Sequence, residues 1–304
     1  MSARQLAAIA AGVAVLLLLW GTSELLTRRS DTTTGDLRLP TLAVGDVDTV
    51  AITRGADTVL LVKRSPTAWT VNGWQASQAA IGELFQSLRD SSTPELAAQS
   101  ASSFARMGVD SSAGRLLRVA GGGKTLARLI LGGHGPDYDA TYMRLPGDAH
   151  VYLWRGRLPT LAARAAEQWR DHEIAAVAPD SIAAVEIRRA RESYALRKQG
   201  KKWLLPGGAP GDSAAVARLL DRFRTVTASG FATERQADSL RFDRPRRLLT
   251  LSAGGRRRLL ALAFDSTAGG FWVRRASGGT VYRLDTWQAD QLTPALQTLQ
   301  PKAK

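Results

Sequence analysis

Residues 47–63 read VDTVAITRGADTVLLVK, and residues 182–198 read IAAVEIRRARESYALRK. Laid over one another, Val50-Ala51-Ile52 falls on Val185-Glu186-Ile187, and VLLVK (59–63) falls on YALRK (194–198). The correspondence continues outward at an offset of 135 that shrinks to 130. Trp69 meets Trp203. Ile81, Leu84, Phe85 and Leu88 meet Val216, Leu219, Leu220 and Phe223. MGVD (107–110) meets LRFD (240–243), and Arg115-Leu116-Leu117 meets Arg247-Leu248-Leu249. Tyr142-Met143-Arg144 meets Trp272-Val273-Arg274, and Val151-Tyr152 meets Val281-Tyr282. Agreement in order, spacing and residue type over more than 100 residues predicts an internal repeat. Its shrinking offset places small length changes in loops, where they are tolerated.

Each repeat reads the same way. Alternating, β-branched stretches at 47–54 and 58–64 predict strands, followed by a turn at Trp69 to Val71. A helix is expected over 77–89, with Ser77 as N-cap and one apolar stripe at 81, 84, 85 and 88. A short helical piece near 101–107 then leads to four strands, at 115–120, 125–131, 141–145 and 150–154. Tight turns at Gly121-Gly122-Gly123 and Pro146-Gly147-Asp148, matched by Gly254-Gly255 and Gly278-Gly279, fit hairpins. Antiparallel strands with segregated helices give an α+β class.

Ahead of the repeats, Leu6 to Trp20 is apolar throughout apart from Gly12, and Leu25-Leu26 extends it. A span needs about 20 residues, so 6–26 predicts a membrane anchor. A cleaved signal peptide with Gly21 or Ser23 at its cleavage site is the competing reading. Arg28, Arg29 and Arg38 after the helix favour a cytoplasmic bulk by charge alone. The very short N-terminus before the apolar run favours export, and an extracytoplasmic bulk is expected. The predicted organisation is an anchor at 1–26, a linker at 27–46, a first module at 47–157 and a connecting helix and linker at 158–181. A second module at 182–285 and a C-terminal helix with a basic tail at 286–304 complete it.

The chain has 304 residues and a net charge of +14. Residues 1–180 carry 18 Lys and Arg against 17 Asp and Glu, whereas 181–304 carry 23 against 10. A basic second half attracts polyanions. Arg256-Arg257-Arg258 follows a glycine turn, with Arg244, Arg246 and Arg247 before it, and these six are the candidate contacts to an anionic partner. The alternative is an exposed, solvated charged turn. Nucleic acid is not expected, because aromatic stacking residues are not interleaved with these arginines.

The absence of cysteine excludes disulfides, thiolate metal sites and cysteine catalysis. Gly123-Lys124-Thr125 lacks the glycine of a phosphate loop, since Arg118 stands in its place, and strands rather than a helix flank it. His134 with Asp137 and Asp139 is a conceivable metal group that the second repeat does not match, and His150 and His172 have no ligand spacing. Asp110 and Asp243 fit a turn or capping role, and Trp69 and Trp203 a core role. No catalytic residue, cofactor site or metal site is expected.

The strand–strand–Trp opening, MGVD at 107–110, Tyr142-Met143-Arg144 with Val151-Tyr152, and Trp169-Arg170-Asp171 leading to Ile182 together resemble the family called domain of unknown function 4340. The likeness extends over about residues 45–290. It implies a bacterial envelope protein held by one helix in the inner membrane, associated with ABC-type transport components similar to those of gliding motility. The resemblance supplies no catalytic residues. The resulting expectation is a non-catalytic accessory or scaffold protein of such a system. The alternative is a binding module for an anionic envelope polymer or lipid headgroup.

Overall fold

The computed structural model describes residues 42–89, 94–137, 139–189, 192–240 and 242–301. The apolar segment 6–26, the linker up to residue 41 and the last three residues of the basic tail lie outside the described residues. Among the described residues, no helix is long and apolar enough to cross a membrane.

Alternation of apolar and polar residues forces strands that bury one face. In the first half these are β1 (Thr49–Arg54), β2 (Asp57–Ser65), β3 (Ala68–Val71), β4 (Trp74–Gln75), β5 (Glu95–Ala98), β6 (Arg115–Gly121), β7 (Lys124–His134), β8 (Ala140–Arg144) and β9 (Val151–Arg155). They form one sheet in the order β4-β3-β2-β1-β6-β7-β8-β9-β5, antiparallel at every junction. After β10 (Glu173–Ala175), the second half contributes β11 (Ala184–Arg189), β12 (Glu192–Gln199), β13 (Lys202–Leu204), β14 (Val226–Thr227), β15 (Gly230–Phe231), β16 (Arg247–Ser252), β17 (Arg258–Thr267), β18 (Gly270–Arg275) and β19 (Val281–Asp285). Its sheet runs β13-β12-β11-β16-β17-β18-β19-β15. Registers correspond between the sheets: Val50 faces Leu61 as Val185 faces Leu196, and Ile52 faces Leu117 as Ile187 faces Leu249.

Each sheet packs its apolar face under a helix. Helix α1 (Gln78–Arg89) buries Ile81, Leu84, Phe85 and Leu88, the stripe expected from the spacing. Ser77 caps it by accepting from the Ala80 N–H at 3.3 Å. Trp69 is fully buried with its ring 5.6 Å from that of Phe85. An indole removed from water on this scale contributes about 2–3 kcal/mol. In the second half α4 (Ser213–Asp221) buries Val216, Leu219 and Leu220, and Asp212 caps it from 2.7 Å. Trp203 also packs on its core but stays partly exposed, so the two tryptophans share a place in the sheet and differ in depth.

On the reverse face of each sheet a shorter helix covers the far strands. After α2 (Phe104–Met107), Met107, Val109 and Val151 pack with Phe104 and Tyr142; α3 (Leu158–Ala162) follows later in the chain. Around α5 (Glu234–Ser239), Phe242, Trp272 and Val281 form the matching cluster. Arg144 lies over the Phe104 ring at 4.1 Å, and Arg274 over Phe242 at 4.5 Å. Asp110 holds a turn by accepting from the Ser112 and Ala113 N–H groups and the Ser112 hydroxyl. The Ser112 hydroxyl is the main reason its carboxyl sits below the usual range. Asp243 also lies in a turn, but it is exposed and accepts no hydrogen bond among the described residues.

The segment 158–181 between the two modules holds a helix and then a turn. The expected connecting helix ends at Ala162, and a 3₁₀ turn follows at Ala166–Trp169. That turn is tied to the first half: Ser77 N–H donates to Trp169 C=O at 2.8 Å, and Asp171 N–H donates to Gln75 C=O at 2.9 Å. Only from β10, which pairs with β14, does the chain belong to the second half. The C-terminal stretch repeats this tie. After α6 (Thr286–Leu292), a 3₁₀ turn at Leu296–Leu299 presents the Leu299 C=O to the Asp212 N–H at 2.8 Å. Strands β5 and β15 close the far edges and carry no alternating burial that a sequence pattern could reveal.

Candidate functional site

The six candidate arginines do not form one patch. Strands β16 and β17 make a hairpin whose tip is Gly254–Arg256, with Gly255 at φ +68° and Arg256 at φ +64°. Arg256, Arg257 and Arg258 are exposed there and have no ion-pair partner among the described residues. Arg244, Arg246 and Arg247 sit at the opposite end of β16, where Arg247 pairs with Phe264. Six residues of strand separate the two groups by about 17–20 Å.

Arg247 is not available to a partner. Its guanidinium lies 4.2 Å from the centre of the Phe271 ring and donates to Asp290 Oδ1 at 2.7 Å and Thr293 Oγ1 at 2.9 Å. The side chain is 12% exposed. Arg189 joins the same knot, donating to the Thr293 C=O at 2.8 Å with Asp290 at 3.7 Å. Together they fasten α6 to the strand ends. Arg244 and Arg246 remain exposed.

Two sites were missed at the level of sequence. Arg170 lies between aromatic rings from both halves, 4.3 Å from Trp74 and 3.5 Å from Phe231. Burial pulls its guanidinium below its ordinary value, against Glu167 and Tyr282. His172 packs edge-on against the same Phe231 ring at 4.7 Å and reaches the Ala228 and Glu167 carbonyls. The signal was the Trp-Arg-Asp sequence at 169–171, but its aromatic partners are remote in the chain. The second site is a groove beside Arg258 that also involves Arg275.

The other candidates resolve singly. Asp137 is ion-paired with Arg155 at 2.9 Å, and Arg155 also bonds Glu95. His150 pairs with Asp148 at 2.7 Å, and His134 ends β7 on the surface. Among the described residues, no group of three or more His, Asp or Glu is placed to hold a metal ion. Gly122-Gly123 turns one antiparallel strand into the next, so no helix N-terminus faces a phosphate at Lys124.

The family Domain of unknown function (DUF4340) matches residues 69–245, more than half of the chain, and the chain belongs to that family. No curated protein and no solved structure matches it.

Arg247→Ala leaves Asp290 and Thr293 without their shared donor and is expected to lower unfolding stability by about 1–3 kcal/mol. Arg257→Ala at the hairpin tip is expected to change it by less than about 0.5 kcal/mol. Urea unfolding of the two variants checks the difference.

Proposed function

We propose that this DUF4340 member is a non-catalytic, membrane-tethered binding protein of the bacterial cell envelope. In this reading it arose by duplication of one α+β module, and residues 6–26 span the inner membrane once, leaving the folded part outside the cytoplasm. It acts as an accessory or scaffold for an ABC-type transport component. One observation carries the proposal. The central strands of both sheets leave their reverse faces open, and the rows across those faces mix small and apolar side chains with charged ones. Leu60, Ala51 and Arg118 form one such row, and Ala195, Glu186, Thr250 and Ala261 form another. A shallow trough of about 330 Å³ runs over Glu186, Ala195, Leu248 and Thr250. Broad, open faces of mixed apolar and charged side chains suit protein docking better than a small substrate.

A second reading rests on Arg256, Arg257 and Arg258, exposed and unpaired on a protein of net charge +14. They are suited to an anionic envelope polymer or lipid headgroup.

Extraction in mild detergent is expected to recover the chain with an ABC-type permease. Thr250→Arg on the open face is expected to abolish that recovery without lowering the unfolding temperature. Recovery of the chain alone after crosslinking contradicts the scaffold role. For the second reading, binding to phosphatidylglycerol vesicles is expected to weaken steeply between low and physiological salt, and to be lost in the Arg256→Ala/Arg257→Ala variant. Salt-independent binding rules it out.

A further inference from the structure

A groove of about 410 Å³ separates the incoming segment Ala175–Val177 from the ends of β17 and β18. Arg258, Arg275 and Ser277 line it. Arg258 stands on β17 and Arg275 on the adjoining β18, which pairs Arg275 with Leu262. Two guanidinium groups therefore share one concave site, and neither has a carboxylate partner among the described residues.

Arg275 is the unusual member. Its Nε is buried and donates to no acceptor among the described residues. Arg275 as a whole is only half-buried and lines the groove, so the terminal nitrogens of its guanidinium are what an acceptor from outside meets. Gly278 adds no side chain beside this fork: a Cβ there would rest 3.6 Å from Nε and 3.8 Å from a terminal nitrogen. The fold does not demand the arginine either. Arg274 corresponds to Arg144 of the first half, and each stacks on a phenylalanine. The next residue is Arg275 here, the last of β18, and Leu145 there, just past the end of β8, so the repeat itself asks for no charge at this place.

We propose that this groove binds a phosphate group, with its oxygens accepting from the Arg275 and Arg258 guanidinium groups and the Ser277 hydroxyl. A carboxylate saturates one planar fork, whereas a tetrahedral phosphate offers acceptors to two forks on neighbouring strands and to a hydroxyl as well. Two cationic groups also match the one to two negative charges of a phosphate near neutral pH. The site rests on the second functional reading only in taking this end of the protein as the side that faces anions. It differs in being a pocket for one group rather than a charged turn. The phosphate can come from a lipid headgroup or from a soluble phosphorylated compound.

The test uses the full-length chain in neutral detergent, titrated calorimetrically with inorganic phosphate at constant ionic strength. In separate arms it is mixed with phosphatidylcholine vesicles with and without phosphatidylglycerol. Saturable phosphate binding is expected, weakened at least about tenfold by Arg275→Leu and by Arg258→Gln. Arg235→Ala, an exposed charge removed outside the groove lining, is expected to leave phosphate affinity unchanged. Arg275→Leu introduces the residue found at the corresponding place in the first half and is expected to unfold at the wild-type temperature; Arg275→Gln serves if it does not. No saturable phosphate binding, or equal affinity in the Arg275 and Arg258 variants, overturns the groove. Salt-sensitive vesicle binding without phosphate binding overturns the groove and leaves the arginine turn standing. Phosphate binding without vesicle binding supports the groove with a soluble source and removes the lipid.

Discussion

A single antiparallel sheet can hide only the face its alternating side chains make apolar, and the rest of this protein follows from how that face is covered. In each half the cover is one amphipathic helix, α1 or α4, entered through a capped N-terminus at Ser77 or Asp212. The cap residue's own N–H is bonded to the carbonyl of a distant 3₁₀ turn, at Trp169 in the first half and Leu299 in the second. This bond fixes where the helix begins over the sheet and brings the end of each half back to its start. The reverse faces are only partly covered, by the small clusters around Val109 and Phe242, and remain open over the central strands.

The arginines are divided between two tasks. Arg144 and Arg274 hold the reverse-face clusters, Arg170 sits between rings contributed by both halves, and Arg189 and Arg247 fasten the last helix. The first three lie against aromatic rings, and Arg189 and Arg247 find acceptors. Arg256, Arg257, Arg258 and Arg275 have no such compensation among the described residues. A basic half is thus less basic toward a partner than its composition implies, and one cluster of its available charge stands at the start of β17.

Much of the architecture was legible because it is periodic. The helix stripe at 81, 84, 85 and 88, the hairpin glycines and the paired strands all leave a pattern in sequence. Strands β5, β14 and β15 left none, because two to four residues on an edge need no alternation. The fate of the arginines was less legible. Arg247 and Arg257 look alike in sequence, and Asp290, 43 positions after Arg247, decides between them. Arg275 did leave a trace: the contrast of Trp-Val-Arg-Arg with Tyr-Met-Arg-Leu marks a charge the fold does not share. Only its place in the groove beside Arg258 gives that contrast a chemical meaning.

The division of the arginines is tested most directly by phenylglyoxal labelling of the full-length chain, with modified peptides quantified by mass spectrometry in the presence and absence of phosphate. The account predicts fast labelling of Arg256 and Arg257, protection of Arg170 and Arg247, and protection of Arg258 and Arg275 that appears only when phosphate is added. Labelling of Arg247 as fast as Arg257, or an Arg275 that reacts identically with and without phosphate, contradicts it.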